Sequence, residues 1–226
     1  TGSQGLTQWL TKQSAEVKLD PDYTLLLKNE RSATQSAATQ TRQAGYDERS
    51  LGIAYRPTHH DRLNALGRYS YLKDQRPTQL FGLNDPAQLF ARNNLFETQN
   101  RASMHVVSLD LTFDVTKKLA WTEKFAYRLK EETMADLPAL TTHTTLMIHR
   151  LDYALPKNFG VGIEYRTFSQ RESDDQKSGW LTELTWEAGE HVRLGVGYNF
   201  TDFSDRLDQS QDYDVTGWFL RVQGRY

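Results

Sequence analysis

The sequence lacks cysteine, which excludes a disulfide framework, a thiolate nucleophile and a Cys-ligated metal site. It also lacks any run approaching about 18 consecutive apolar residues, so no transmembrane helix is expected. Neither sign of charge dominates, because 27 Lys and Arg stand against 29 Asp and Glu. A nucleic-acid partner, which favours a basic excess, is therefore not expected. The first residues carry no signal peptide, and Thr1 is not an initiator methionine, so we expect the sequence to begin within a mature or truncated chain.

What the sequence does contain is a hydrophobic alternation of period two. Composition alone, with a mean hydropathy of −0.69 and 38% apolar residues, would indicate a polar soluble protein of one domain. At the end of the chain, one set of alternating positions carries Trp218, Leu220, Val222, Gly224 and Tyr226. The other set carries Phe219, Arg221, Gln223 and Arg225. Successive strand side chains point to opposite faces, so this segment predicts a strand with one apolar and one largely cationic face.

The same alternation recurs back to Ala15 and predicts about eleven strands of roughly a dozen residues each. Globular strands average about five or six residues, whereas a tilted strand that crosses a bilayer needs about 9–11. Short connectors are predicted at 19–22, 56–61, 116–118, 156–158 and 188–190. Longer polar connectors are predicted at 33–42, 75–100, 131–141, 171–178 and 204–212. Short turns at one edge and long loops at the other are typical of outer-membrane barrels, with periplasmic turns and extracellular loops.

Aromatic residues form two rows on the predicted apolar faces, with mostly Leu, Ile and Val between the rows. Near the short turns lie Tyr23, Tyr55, Phe113, Trp121, Tyr153, Phe159, Trp186 and Tyr226. Toward the long loops lie Tyr69, Tyr71, Tyr127, Tyr165, Trp180, Tyr198, Phe200 and Trp218. Such girdles are expected of a lipid-facing wall, because amphipathic rings prefer the headgroup level. A soluble β-sandwich or ligand-binding barrel explains the alternation, but not strand length, loop asymmetry and girdles together.

These patterns predict an all-β fold, with one domain over 1–226. Its architecture is a closed antiparallel transmembrane β-barrel of about 12 strands (range about 10–14), with short periplasmic turns and long extracellular loops. Eleven strands counted back from a periplasmic Tyr226 would place Thr1 outside, whereas bacterial single-chain barrels have an even number. Three explanations remain: a miscount, a further strand within 1–13, or an upstream continuation. We predict the third, with this chain the carboxy-terminal portion of a longer one.

Two segments carry a family resemblance. Gly217–Tyr226, which ends in an aromatic residue, resembles the assembly signal of bacterial outer-membrane β-barrels. Arg193–Asp205 is similar to the penultimate strand and loop of carboxy-terminal barrel domains in large multi-domain surface proteins. The resemblance implies that the barrel-assembly machinery recognises the last strand through Trp218, Leu220, Val222, Gly224 and Tyr226. It implies no catalytic residues, because neither motif contains any.

The predicted lumen face carries charges of both signs. The candidate lumen-lining residues are Lys124, Arg128, Lys130, Arg150, Glu164, Arg166, Glu183, Arg193, Arg221 and Arg225. One interpretation is a hydrated interior held by salt bridges. Another is a channel whose cationic rows favour anions. At about twelve strands its bore would be much narrower than that of a 16-strand porin.

The segment 76–100 is the candidate plug or lid. It contains apolar residues that are unusual in a free loop, namely Phe81, Leu83, Leu89, Phe90, Leu95 and Phe96. Asp85 and Pro86 predict a helix start, as cap and first helical residue. We expect the apolar residues to be buried in the lumen, against neighbouring loops, or against a partner.

No catalytic site, metal site or cofactor is predicted. The histidines show no metal-ligand spacing, and Ser103 and His105, which share a face, form no recognisable triad. Glu123 falls on the apolar face between Trp121 and Phe125, where a lipid-facing carboxylate is costly. Either it lies near the periplasmic girdle, or that wall contacts protein.

The leading functional hypothesis is a bacterial outer-membrane anchor or scaffold for a larger surface protein or complex. The alternative is a porin-like passive channel for small solutes, including anions, and an enzyme is not expected. The expected partners are outer-membrane lipid and lipopolysaccharide, the barrel-assembly machinery during insertion, and a protein partner or upstream domain. No nucleic-acid partner is expected.

Overall fold

The computed structural model describes residues 5–37, 42–81, 95–134, 137–189, 191–205 and 213–224. These residues form one antiparallel sheet in which every strand pairs with its sequence neighbours, in the order β1 to β11. The strands are β1 (Leu6–Lys18), β2 (Tyr23–Ser36), β3 (Arg42–Tyr55), β4 (Leu63–Phe81), β5 (Leu95–Asp114), β6 (Leu119–Met134), β7 (Leu140–Ala154), β8 (Phe159–Gln170), β9 (Asp175–Glu187), β10 (Val192–Asp205) and β11 (Tyr213–Gly224). The all-β class is confirmed, and the described residues form eleven strands. None of the described residues belongs to a helix capable of crossing a bilayer.

The apolar face of the sheet is the exposed one. In β9, for example, Trp180, Leu184 and Trp186 are exposed, whereas Leu181 and Glu183 on the other face are buried. The same holds along the sheet for Leu27, Leu51, Ile53, Tyr69, Val107, Leu109, Trp121, Leu151, Ile163, Val196 and Phe200. A soluble monomer rarely exposes a continuous apolar surface of this extent. The period-two pattern therefore sorts side chains as predicted, with the polar side turned inward.

The polar face is concave. One cavity of about 710 Å³ is lined by residues from β5 to β11, among them Thr112, Glu183 and Arg221. A second cavity of about 370 Å³ is lined by residues from β1 to β5, including Glu16 and again Thr112. Because strands from both ends of the sheet contribute to adjoining cavities, the sheet curls around its polar side.

The two ends of the sheet are not joined in the described part of the chain. There β1 pairs with β2 and β11 pairs with β10, and no register connects β1 with β11. Both terminal strands run toward the short-turn edge, because β1 enters its turn at Lys18 and β11 follows the connector 206–212. The structure thus shows an open sheet of eleven strands where we expected a closed barrel of about twelve.

The connectors correct the predicted loop lengths. At the short-turn edge they span 19–22, 56–62, 115–118, 155–158 and 188–191, close to expectation. At the other edge they span 37–41, 82–94, 135–139, 171–174 and 206–212, and all five are shorter than predicted. The difference arises because strand pairing continues through polar residues after the hydrophobic alternation ends. For example, β4 and β5 remain paired as far as Phe81 and Leu95.

The short turns are tied to one another across the edge. The 155–158 turn has positive φ angles at Lys157 (61°) and Asn158 (63°), as a tight type I′ hairpin requires. Asp22 in the first turn accepts hydrogen bonds from the backbone N–H (2.7 Å) and hydroxyl (2.9 Å) of Thr58 in the second. These two donors lower the pKa of the Asp22 carboxyl below its ordinary value. Arg62 similarly reaches the carbonyl of Asp114 at 3.3 Å.

Candidate functional site

The most buried charged group of the described residues is Glu183, at the centre of β9 on the polar face. Its side chain has no exposed surface. Oε2 accepts a hydrogen bond from Nη2 of Arg150 at 2.9 Å and another from Nη1 of Arg221 at 3.0 Å. Arg150 lies on β7 and Arg221 on β11, so each guanidinium reaches over an intervening strand. This arrangement links three strands that are not hydrogen-bonded to one another.

Glycines on the intervening strands leave space for the side chains that cross them. A methyl group at Gly162 of β8 would lie 2.6 Å from Nη2 of Arg150. A methyl group at Gly195 of β10 would lie 2.6 Å from Oε1 of Glu183. Both distances are shorter than van der Waals contact, so a larger residue at either position would displace the charged groups. The bare backbone of β8 and β10 is what allows the cluster to form.

The cluster extends along β7 and β8. Arg150 also binds Asp152, at 2.8 Å, and Glu164, at 3.4 Å. Arg166 binds the other oxygen of Glu164 at 2.7 Å. With Glu183 and Arg221, the group therefore holds three cations and three carboxylates, so its formal charge is 3 − 3 = 0. We call these six residues the Glu183 cluster: Arg150, Asp152, Glu164, Arg166, Glu183 and Arg221.

The remaining candidate lumen residues also have partners. Lys124 binds Asp110 at 3.1 Å across the β5–β6 pair, and Arg128 donates to the hydroxyl of Thr144 at 3.0 Å. Lys130 binds Glu132 and Arg193 binds Glu187. Arg225 lies outside the described residues. The partners of the described cations lie on the same or neighbouring strands, and cross-strand register brings several of them together.

The Glu183 cluster is suited to holding strands together rather than to carrying out a reaction. Its guanidinium groups and carboxylates bind one another, and guanidinium cannot act as a proton donor or acceptor near neutral pH. Within the described ranges, no group of three His, Asp or Glu residues could hold a metal ion. The predictions of no enzyme activity and no cofactor remain predictions.

On the apolar face, the structure gives Glu123 a partner that the sequence did not reveal. His149 lies directly opposite it on β7, and the imidazole Nδ1 and carboxylate Oε2 are 2.5 Å apart. The pair sits within the apolar face: Trp121 and Leu151 are the cross-strand pair on one side, and Phe125 and Met147 are the pair on the other. The carboxylate thus has a partner on its own face and lies two residues from Trp121 of the predicted short-turn girdle, and contact of this wall with another protein stays a prediction. Cross-strand register was the missing information.

The residues of the predicted assembly signal lie on an unpaired edge. Trp218, Leu220 and Val222 are 77%, 84% and 75% exposed on the apolar face of β11. Gly224 is the last residue of that strand, and Tyr226 lies outside the described residues. Within the described ranges, β11 is hydrogen-bonded on one side, to β10. The predicted signal is therefore a free strand edge with a fully exposed apolar side.

The candidate plug is only partly described. Phe81, Leu95 and Phe96 fall in β4 and β5, where Phe81 pairs with Leu95 and Leu80 with Phe96. The expected loop 76–100 thus begins and ends as an extended hairpin. Leu83, Leu89, Phe90 and the predicted helix start at Asp85 and Pro86 lie outside the described residues. Whether the segment closes the lumen stays a prediction.

Several predicted girdle residues meet as cross-strand ring pairs. Near the short turns, the ring centroids of Tyr23 and Tyr55 are 4.9 Å apart. Near the other edge, those of Tyr165 and Trp180 are 4.7 Å apart. The rows are six residues apart along β8, from Phe159 to Tyr165, or about 20 Å of strand. That is of the same order as the apolar band of an outer-membrane barrel, about 25 Å.

His105 and His143 lie in separate places on the sheet. His105 contacts the hydroxyl of Tyr69 at 2.8 Å. His143 binds Glu172 in the 171–174 connector, where its backbone N–H donates to the carboxylate at 2.6 Å. This backbone donor, followed by the imidazole, lowers the pKa of the Glu172 carboxyl. Among the described residues, the imidazole of His105 contacts Tyr69 and that of His143 contacts Glu172, so neither forms a catalytic pair with a serine.

Comparison with models of known protein families finds none that matches the chain, and no curated protein matches it.

Proposed function

We propose that the protein is an integral β-barrel of the bacterial outer membrane that serves as an anchor or scaffold for a larger surface protein or complex. The observation that carries the proposal is the inverted distribution of polarity: an exposed apolar face and a concave face whose charges pair with one another. A lipid bilayer is the surroundings in which such a face is stable.

We propose further that the sheet closes with a twelfth strand. Direct closure would pair β1 with β11, and these strands run in the same direction. One further strand between them, running the opposite way, makes every pair antiparallel and restores an even number. The segment that precedes β1 in a longer chain is the natural source. Both free edges would then be satisfied, as the bilayer core demands.

The neutral Glu183 cluster favours an anchor over an anion channel. A channel selects anions when unpaired cations line its bore, but Arg150 and Arg221 share Glu183. The two cavities, of about 710 and 370 Å³, are the observation that supports a passive channel as the second candidate. Such a channel would discriminate weakly by charge, because all of its described candidate cations except Arg128 are bound to acids.

Planar-bilayer recording of the natural full-length protein tests the choice. We expect repeated insertion, detected as protease-resistant protein in parallel vesicles, without stable conductance. Steady conductance steps would overturn the anchor proposal in favour of the channel, and reversal potentials in a salt gradient would give its selectivity. Failure to enter vesicles would overturn the membrane assignment itself.

Disulfide cross-linking tests the twelfth strand, since the chain is free of cysteine. Ser14→Cys with Lys28→Cys is the positive control, because these residues face each other in β1 and β2. Ser14→Cys combined with cysteine at Gly217 or Phe219 probes β1 against β11. An intervening strand sets these backbones about 10 Å apart, beyond the reach of a disulfide, about 7 Å. Cross-linking comparable to the control would mean direct parallel closure.

A further inference from the structure

The apolar face changes character along β2 to β5 in three successive levels. In the first level, Leu27, Leu51, Tyr69 and Val107 lie opposite one another in register. In the second level the residues are Asn29, Arg49, Tyr71 and His105. In the third level they are Arg31, Asp47, Lys73 and Ser103. From the first level to the third, the side chains thus change from aliphatic and aromatic to mostly charged. This change occurs toward the edge opposite the short turns.

The charged levels are strongly cationic. Four cations occupy them or the next position, namely Arg31, Arg49, Lys73 and Arg101, and the only carboxylate at the corresponding positions is Asp47. Arg31 and Arg49 both bind that carboxylate, at 3.1 and 3.2 Å. The formal charge is therefore 4 − 1 = +3. We call these five residues the cationic belt: Arg31, Asp47, Arg49, Lys73 and Arg101.

The belt is local to this part of the wall. In register with Ser103, β6 carries Glu131 and β7 carries Thr141. The excess of positive charge therefore ends at β5. Asp47 lies opposite Lys73 but binds Arg31 and Arg49, and among the described residues no salt bridge joins Lys73 or Arg101 to a carboxylate.

A groove runs along the junction between the apolar levels and the belt. Its volume is about 940 Å³, and its lining includes Leu27, Leu51, Arg49, Tyr71 and His105. It therefore combines an aliphatic floor, aromatic walls and a cation. One further lining residue, Asn29, has a buried Oδ1 that accepts no hydrogen bond from the described residues.

We propose that this groove and the cationic belt bind a phosphorylated glycolipid of the outer leaflet, the membrane-embedded part of lipopolysaccharide. The acyl chain would lie over Leu27 and Leu51, and the phosphate would contact Arg49 and Lys73. Guanidinium and ammonium groups bind phosphate by charge-assisted hydrogen bonds. The inference rests on the proposed function, because the belt faces the outer leaflet only if the short turns are periplasmic.

Binding is measured with the full-length protein in neutral detergent micelles, so that the result does not depend on insertion into a bilayer. The probe is a doubly phosphorylated, acylated glucosamine disaccharide, and the readout is phosphate retained per protein. We expect saturable binding that weakens about tenfold in Arg49→Gln and in Lys73→Gln, the loss of one charge-assisted contact. The control Lys124→Gln removes a cation from the polar face and should bind as the wild type does.

Two further measurements separate the contribution of the phosphate groups from that of the acyl chains. The dephosphorylated glycolipid should bind at least about tenfold more weakly, and inorganic phosphate should not displace the intact probe. Equal binding of both lipids, displacement by inorganic phosphate alone, or equal loss in the Lys124 control would overturn the inference. Insertion into vesicles is scored separately: a protein that inserts but does not bind refutes only this inference, whereas one that binds but never inserts refutes the membrane anchor.

Discussion

Replacing Glu183 with glutamine tests the structural role of the charge cluster. The substitution keeps the shape but removes the negative charge that two guanidinium groups share, at 2.9 and 3.0 Å. Breaking a buried ion pair by removing one partner costs about 3–5 kcal/mol. Two features reduce the cost. Arg150 retains Asp152 and Glu164, and the Arg221 side chain is 47% exposed, so water compensates part of its loss. We expect Glu183→Gln to lower the free energy of unfolding by about 2–3 kcal/mol.

The assay is reversible unfolding by urea in lipid vesicles, followed by tryptophan fluorescence. Trp180 and Trp186 flank Glu183 on the same strand but face the other side, so they report the unfolding of β9 without touching the cluster. The midpoint should fall while the dependence of the free energy on urea stays constant, because the surface exposed on unfolding is unchanged.

The matched control is Glu187→Gln on the same strand and face. Glu187 and its partner Arg193 have side chains that are 29% and 36% exposed. A pair so accessible to water contributes about 1 kcal/mol or less. If Glu183→Gln changed stability by no more than the Glu187 control, the Glu183 cluster would not tie the strands together.

Three other predictions test neighbouring features. Glu123→Leu and His149→Leu should each lower the free energy of unfolding in vesicles by about 2 kcal/mol, because each leaves one polar group facing lipid. The double replacement should recover most of this loss, and additive losses would refute the pairing. Gly195→Ala should lower stability by about 1–3 kcal/mol, because the added methyl overlaps the charge cluster, whereas Gly217→Ala, which meets nothing within 4 Å, should cost less than about 0.5 kcal/mol. Asp22, whose pKa is lowered in the folded protein, contributes stability above its unfolded pKa of about 3.9 and loses it as the pH falls through the lower folded value. Protection of the Thr58 amide hydrogen, relative to its intrinsic exchange rate, should therefore fall only below about pH 4, and a fall already at about pH 5 would contradict this assignment.

Much of the sheet could be predicted from local pattern. The alternation around Trp180, Leu184 and Trp186 fixes which side chains share a face, because strand geometry leaves no other choice. The short turn at Lys157 and Asn158 was likewise predictable, because it lies between two segments of clear alternation. The ends of the strands were less predictable. Beyond Arg76, pairing continues where the hydrophobic pattern has already ended, since backbone hydrogen bonds do not require apolar side chains.

The sequence could predict which residues lie on the polar face, but not which of them contact one another. The sequence places Arg150, Glu183 and Arg221 on polar faces, where they resemble a cationic row interrupted by single acids. Their convergence depends on the curl of the sheet and on the missing side chains of Gly162 and Gly195. Neither is visible in the spacing of charges along one strand. The same holds for Glu123 and His149, which are far apart in sequence and adjacent only through the β6–β7 register.

The sequence alone determined the strands, the polarity of their two faces and the edge that carries the tight turns. All of these follow from side-chain alternation and turn chemistry within a few residues. Only the tertiary structure decided how the charges are used. Register and curvature bring groups from non-neighbouring strands within hydrogen-bonding distance, and they convert rows of predicted cations into neutral, mutually bound clusters. Pairing of this kind is a property of three-dimensional distance, which a one-dimensional pattern does not contain.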